Sequence, residues 1–290
     1  GLEPLRVVER ELKRIKPSVI LIAEPWSYRG NIALALRDTG FASWNDGYRE
    51  YVLKYLLGQD GAAGLRYFLF GSMEHLAAWP AQSVNYVESH DDMCWSDRVT
   101  ENPSHSALLP TPNDRRRTHM MCAILMMSLG IPMLAAGQDF LRTKLGNHNT
   151  YKAGDVNALD YKRLRYFSGT HEYFRKWIAF RNSELGNLLR LWQRPNSAYM
   201  RFLEAEEASS AALGVLVNAD GTMGSQRLFF AVNPSPVAAK ILLAELDLSG
   251  FTQIADTENF EAEGLEGAER LPTAGGSVEI PPLSCALWSL

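Results

Sequence analysis

Apolar residues in the first part of the chain follow two different spacings. Leu5, Val8, Leu12 and Ile15 repeat at a helical spacing, and Pro17 ends the predicted helix. Four continuous apolar runs predict short strands, over residues 19–23, 41–44, 84–88 and 133–136. A strand without polar alternation is typical of one that is covered on both faces. Further helices are predicted over 48–57, 112–129 and 171–182, so strands and helices alternate as in parallel βα units.

The pattern changes after about residue 186. Short alternating runs separated by turn residues predict six strands, over 199–203, 213–217, 228–232, 241–246, 277–280 and 286–290. Strands of this length and spacing favour an antiparallel β-sandwich. We therefore expect an α/β unit over residues 1–185, followed by an all-β unit over residues 186–290.

Composition excludes several classes of function. The chain of 290 residues carries a formal net charge of −4, so no broad basic surface is available for nucleic acid. The longest apolar stretch, 120–136, is interrupted by Gly130 and Pro132 and predicts no membrane span. The three cysteines of the chain form neither a disulfide framework nor a zinc pattern, and no signal peptide is visible. A cytoplasmic location is slightly favoured.

The candidate chemistry lies where two apolar strands end. Glu24 follows the run 19–23, and His90 and Asp91 follow the run 84–88. In a βα barrel, the residues at the carboxyl ends of the strands line the active site. A pair of carboxyl groups with a histidine suits sugar chemistry, in which one carboxyl group is an acid and another stabilises positive charge. The alternatives are that Glu24 caps a helix and that His90 and Asp91 are a structural pair.

A polar loop follows the last predicted strand of the α/β unit. Residues 137–151 are dense in Asn, His, Arg and Tyr. Such side chains supply the hydrogen bonds and the stacking surface that a carbohydrate needs. The alternative is an ordinary polar surface loop.

Five segments in this order resemble the α-amylase superfamily (glycoside hydrolase family thirteen), and within it the pullulanase and isoamylase debranching enzymes. They are LIAEPW (21–26), SWNDGYREYV (43–52), NYVESHDD (85–92), GIPMLAAGQDFLRTK (130–144) and GNHNTYKAGDVNALDY (146–161). The resemblance implies a retaining hydrolase that cleaves α-1,6-glucosidic bonds in pullulan, glycogen or limit dextrins. It also implies an (β/α)8 barrel of the TIM type, followed by a β-domain.

The resemblance assigns roles to individual residues. Glu24 is implied as the general acid/base, Asp91 as the transition-state stabiliser and His90 as a contact to a substrate hydroxyl. Substrate contacts are implied for Trp26, Asn45, Asp46, Asn147, Asn149, Tyr151 and Asp155. Asp92 stands where many relatives carry Asn. No cofactor and no metal ligand are expected, and the sequence gives no support for calcium.

One expected residue is missing from the sequence. A retaining enzyme needs a nucleophilic carboxylate as well as the acid, and in this family it precedes the acid in an Arg-x-Asp context. No Asp occurs before Asp38. We therefore expect only strands five to eight of the barrel, and an isolated chain that is inactive. Such a chain would self-associate or need the N-terminal half of the barrel as a partner, with an α-glucan as substrate.

Two other readings stay open at this point. One is an α-1,4-acting amylase or a glucan transferase of the same superfamily. The other is a non-catalytic glucan-binding or assembly protein that has lost the front of its barrel.

Overall fold

A computed structural model describes residues 2–28, 30–208, 210–268 and 270–290. Its α-helices are α1 Glu3–Ile15, α2 Ala33–Leu36, α3 Asp46–Leu56, α4 Ala62–Leu69, α5 Trp95–Val99, α6 Pro112–Met127, α7 Gly154–Asn157, α8 Lys162–Tyr166 and α9 Ser168–Asn182. Its first strands are β1 Leu21–Ala23, β2 Trp26–Ser27, β3 Gly30–Asn31, β4 Phe41–Trp44, β5 Ser83–Asn85 and β6 Ile131–Pro132. The later strands are β7 Met200–Glu204, β8 Leu213–Val217, β9 Leu228–Asn233, β10 Ala239–Leu242, β11 Thr252–Ala255, β12 Ser277–Ile280 and β13 Ser284–Ser289.

Four strands of the first part form a parallel sheet in the order β1-β4-β5-β6. The strand predicted at 133–136 begins two residues earlier and ends four residues earlier than expected, because pairing with β5 occurs at Ile131 and Pro132. The strand at 84–88 is shorter than predicted and ends at Asn85. Helix α4 was not predicted, because the glycine-rich segment 58–64, which indicates a break between elements, overlaps its first turn.

Strand β1 is open on one face, contrary to the expectation of a strand covered on both. Leu21 is buried, whereas Ile20 and Ile22 are 57% and 49% exposed. Within the described part of the chain, the outer edge of β1 pairs with no strand. An apolar side chain exposed beside an unpaired edge is a point of attachment for another element.

Helix α6 begins as the sequence predicts. The Thr111 side chain accepts from the amide of Asp114, the Asp114 carboxylate accepts from the amide of Thr111, and Pro112 is the first helical residue. The rest of the helix is buried nearly all round, including its four methionines. None of the described helices is both long and apolar enough to cross a membrane.

The later strands form two antiparallel sheets, in the orders β11-β13-β9-β8-β7 and β10-β12. Strand β8 and strand β12 have the bounds that the sequence predicts, and β11 was not predicted. One face of the larger sheet packs on the helices through β9 and β13, in the same apolar cluster that contains α6 and α9.

His119 links the helices to the β-strands. Its Nδ1 lies 2.7 Å from the carbonyl oxygen of Thr257, its Nε2 lies 3.0 Å from the Thr170 hydroxyl, and its ring stacks on Tyr173. Burial lowers the pKa of His119 to about 4. The imidazole is therefore neutral at pH 7, as two hydrogen bonds at a buried junction require.

Candidate active site

Three predicted catalytic side chains meet at the carboxyl ends of the parallel strands. Glu24 follows β1, and His90 and Asp91 follow β5. One ligand atom of each lies within 4.8 Å of the others, and all three residues are exposed. Strands β1 and β5 are separated only by β4, so side chains at their ends can reach one another across it. The structure thus brings together two carboxyl groups and an imidazole on an open rim. Exposed acidic side chains commonly lie this close without binding a metal ion, so the group by itself does not indicate a metal site.

Aromatic rings form one wall of this rim. The Trp44 ring, at the end of β4, lies edge-on to His90 with centroids 6.0 Å apart, and it lies 5.3 Å from Tyr86. The Tyr86 hydroxyl donates a short hydrogen bond to Asp46. Burial, together with this carboxylate, raises the pKa of Tyr86. The wall therefore holds a neutral phenol against Asp46 and presents an apolar aromatic surface to the rim.

Asn45 has a different place from the one expected. The residue is buried, and its Nδ2 donates to the hydroxyls of Ser72 and Ser83 at 2.8 and 2.9 Å. Its Oδ1 accepts from the amide of Tyr48 at 3.0 Å, which makes it the N-cap of α3. A side chain engaged in this way fixes the start of α3 beneath Asp46, and the substrate contact implied for Asn45 stays a prediction.

The turn that carries His90 and Asp91 is preceded by a residue with a buried carboxyl group, Glu88. Glu88 is buried, and its Oε2 accepts from the amide of Trp95 at 2.7 Å. Its Oε1 has no hydrogen-bond partner among the described residues. Burial raises the pKa of Glu88 to about 7, against the opposing effects of the Trp95 amide and of Arg142 and Lys144.

The predicted glucan loop is anchored at its base by Asp97 of α5. This buried carboxylate accepts from the amides of Lys144 and Gly146 at 2.7 and 3.1 Å, and from the Thr143 hydroxyl at 2.5 Å. It also accepts from the amide of Ala107 at 2.9 Å. The Cys94 thiol donates to it as well, so five donors meet this buried carboxylate, and the three that lie in the loop fix this end of it.

The loop residues predicted to contact glucan are exposed and have different neighbours. Asn149 is adjacent to the turn that carries His90 and Asp91, where its Oδ1 accepts from the amide of Asp92 at 3.3 Å. Asn147 donates to the carbonyl oxygen of Lys144 at 2.8 Å, and Tyr151 is 77% exposed. Asp155 lies in α7, on the rim of a separate cavity of about 190 Å³.

Trp26 stands beside the rim, half exposed, in a small hairpin that pairs it with Asn31. A cavity of about 220 Å³ is lined by Trp44, Asn45 and Asp46, together with Leu34, Tyr67 and His75 among others. The cavities of 520 and 550 Å³ are in the β-strand region and beside α9, away from the candidate site. The site is therefore an open rim and not a closed pocket.

Sequence reasoning missed the residues that support the site. Glu88, Asp97 and Lys144 are all buried, although each is of a charged type. Glu88 lies at the end of a predicted strand, which is the one signal that could have marked it. Asp97 lies in a five-residue helix without periodicity, so its role depends on contacts 46 or more residues away in sequence.

Comparison with known proteins shows similarity to debranching enzymes. The chain is 29% identical to a pullulanase of Bacillus subtilis over 216 residues, which is 65% of this chain and 29% of that protein. It is 29% identical to an isoamylase of a Flavobacterium species over 196 residues, which is 56% of this chain and 25% of that protein. The chain thus spans less than a third of the length of these curated relatives. No protein-family model matches the chain.

Solved structures share the fold. A pullulanase from Bacillus acidopullulyticus matches with a TM-score of 0.83 at 23% identity, over 100% of this chain and 36% of that one. A pullulanase from Anoxybacillus, solved in complex with maltotetraose, matches with a TM-score of 0.79 at 22% identity, over 99% of this chain and 42% of that one. The α/β part and the β-strand part of our structure therefore both have counterparts in a single known architecture.

Proposed function

Since the chain is a relative of the pullulanase and isoamylase debranching enzymes of the α-amylase superfamily, we propose that it carries part of the active site of a retaining hydrolase that cleaves α-1,6-glucosidic bonds. In this proposal Glu24 is the general acid/base. Asp91 stabilises the positive charge of the transition state, and His90 donates to a substrate hydroxyl. The substrate is an α-glucan such as pullulan, glycogen or a limit dextrin.

The convergence of Glu24, His90 and Asp91 on one rim is the observation that supports this proposal. Their ligand atoms lie within 4.8 Å, although Glu24 and His90 are 66 residues apart. A sugar held over Trp44 and Trp26 would contact both carboxyl groups, and Asn149 and Tyr151 would extend the contact surface along the loop.

The parallel sheet is proposed to be the second half of a barrel. Its four strands run in the same direction and carry the candidate site at their carboxyl ends, as barrel strands do. In this proposal β1, β4, β5 and β6 are strands five to eight, residues 1–185 are the barrel part and residues 186–290 are the β-domain. The exposed Ile20 and Ile22 are then covered by the preceding βα units.

The proposed half-barrel predicts self-association of the isolated chain. The exposed edge of β1 should lead it to elute as a dimer or larger species in size-exclusion chromatography. Changing Ile20 and Ile22 together to Thr keeps β-branching but removes apolar surface, so it should weaken association by about tenfold. The control Val237→Thr changes another exposed apolar residue, 64% exposed in the β-strand region, and should have no effect. A monodisperse, protease-resistant wild-type monomer would contradict the prediction.

The chain lacks a candidate for the nucleophile. Among the described residues, Glu24, His90 and Asp91 are the one group of three or more acidic, histidine or cysteine side chains whose ligand atoms all lie within 4.8 Å of one another. The Asp46 carboxylate accepts the hydroxyl of Tyr86, and no Asp precedes Asp38. One carboxyl group cannot act on both faces of a sugar, so Glu24 cannot take the second role.

Binding without hydrolysis is the expected behaviour of residues 1–290. In calorimetry the chain should bind maltotetraose and not the β-linked cellotetraose, and it should release no reducing sugar from pullulan. Glu24→Gln should bind as the wild type does, because the amide keeps the shape and the acceptor oxygen of the acid. Hydrolysis of pullulan by the pure chain would contradict the inference that residues 1–290 contain no nucleophile. Absence of any binding to α-glucan would contradict the proposed function.

A further inference from the structure

Asp92, the residue that follows the proposed stabiliser Asp91, has an unusual backbone. Its φ is 56°, in the left-handed region that few residues other than Gly, Asn and Asp adopt. This conformation turns the chain sharply directly after Asp91. The direction of the Asp91 side chain therefore depends on what holds Asp92.

Three residues from two parts of the structure hold Asp92, each through a different group of Asp92. Its amide donates to the Oδ1 of Asn149 at 3.3 Å, and its carbonyl oxygen accepts from the Nζ of Lys144 at 2.5 Å. Its carboxylate lies 3.4 Å from the guanidinium of Arg49 in α3. The turn is thus tied to the predicted glucan loop at two points and to α3 at a third.

These ties differ in character. Lys144 is 2% exposed, so its bond to the Asp92 carbonyl is shielded from solvent. The Arg49 side chain is 18% exposed and the Asp92 side chain 42%, so their ion pair is open to dissolved salt. Arg49 also pairs with Glu50 at 2.9 Å and lies over the Tyr86 ring, which keeps its guanidinium beside the turn when the pair with Asp92 is screened.

We propose that Asp92 is a positioning residue, which couples the loop at Asn149 to the direction of Asp91 and which makes this coupling sensitive to ionic strength through Arg49. The effect on glucan binding rests on the proposed function. A glucan that contacts Asn149 would contact the side chain that accepts from the Asp92 amide. Binding of the glucan to the loop then steadies the turn that carries His90 and Asp91.

The test uses Asp92→Asn in the full chain. Asn tolerates the left-handed backbone and keeps the size of the side chain, so the variant removes only the charge. Without ligand, millisecond hydrogen exchange of residues 90–93 should be faster than in the wild type. Affinity for maltotetraose at low salt should fall about two- to fivefold. The difference should vanish near 1 M NaCl, where the Debye length is about 3 Å.

Two further variants separate this coupling from a general loss of structure. Asp247→Asn removes an exposed carboxylate in the β-strand region and should match the wild type in both assays. Arg49→Gln should resemble Asp92→Asn, and the double variant should be no worse than either one alone. Unchanged exchange at 90–93, or an affinity loss that salt does not abolish, would overturn the inference. If the wild type binds no glucan, the proposed function fails, and the exchange measurement still decides the role of Asp92.

Discussion

Replacing Glu24 by Gln is expected to lower pullulan hydrolysis by about 10²- to 10⁴-fold, the range of general acid–base catalysis. The measurement needs an enzyme with a nucleophile. We would use a chimera in which this chain replaces the matching segment of the Bacillus subtilis pullulanase. In such a chimera Glu24 would protonate the oxygen of the leaving glucan and then accept a proton from the attacking water. Gln occupies the same space and can do neither.

The choice of substrate distinguishes loss of the acid from loss of structure. A nitrophenyl α-maltotrioside has a leaving group that needs no proton, so its cleavage should fall much less than that of pullulan in the Glu24→Gln chimera. The control Glu245→Gln changes an exposed acid in the β-strand region and should leave both rates unchanged. Equal losses on both substrates would contradict the acid role, and so would a Glu24→Gln chimera with wild-type activity on pullulan.

The strand ends that carry chemistry were predictable because each follows a continuous apolar run. Val19 to Ala23 leads to Glu24, and the run from Val84 leads to His90 and Asp91. Polar residues that follow an apolar run predict the end of a strand, and this pattern pointed to both segments although β1 is open on one face and β5 contains the buried polar residues Ser83 and Asn85. The proposed site residues could therefore be placed at strand ends from local pattern, whereas their mutual distance depends on strand order, which only the structure supplies.

The supporting contacts were not predictable, because they join residues far apart in sequence through buried charges. Lys144 reaches the carbonyl oxygen of Asp92 across 52 residues, and Asn45 reaches Ser83 across 38. Nothing in local composition distinguishes a buried Lys in a polar loop from a solvated one. The same limit applies to Asn45, whose substrate contact was implied by resemblance, because nothing in local composition shows that its side chain caps α3.

Arg181→Met is expected to be the most destabilising single change, by about 3 kcal/mol or more in the free energy of unfolding. Arg181 of α9 is 4% exposed, and burial lowers its pKa to about 10, so it stays charged at pH 7. Its guanidinium donates to four carbonyl oxygens. One belongs to Met126 at the end of α6, two to Ser128 and Gly130 between α6 and β6, and one to Leu189 beyond α9. Met fills the space but donates nothing to these carbonyls.

The consequence of this loss should extend to the sheet, because the segment from Met126 to Gly130 leads directly into β6. Urea unfolding measures the effect, and hydrogen exchange of Ile131 and Met133 should report whether β6 detaches first. Arg175→Met is the matched control, since it lies on the same helix but pairs only with Glu172 at the surface, and its unfolding midpoint should match the wild type. Equal midpoints for the two variants would mean that the four carbonyls find other donors. The guanidinium would then serve packing rather than the junction of α6, β6 and α9.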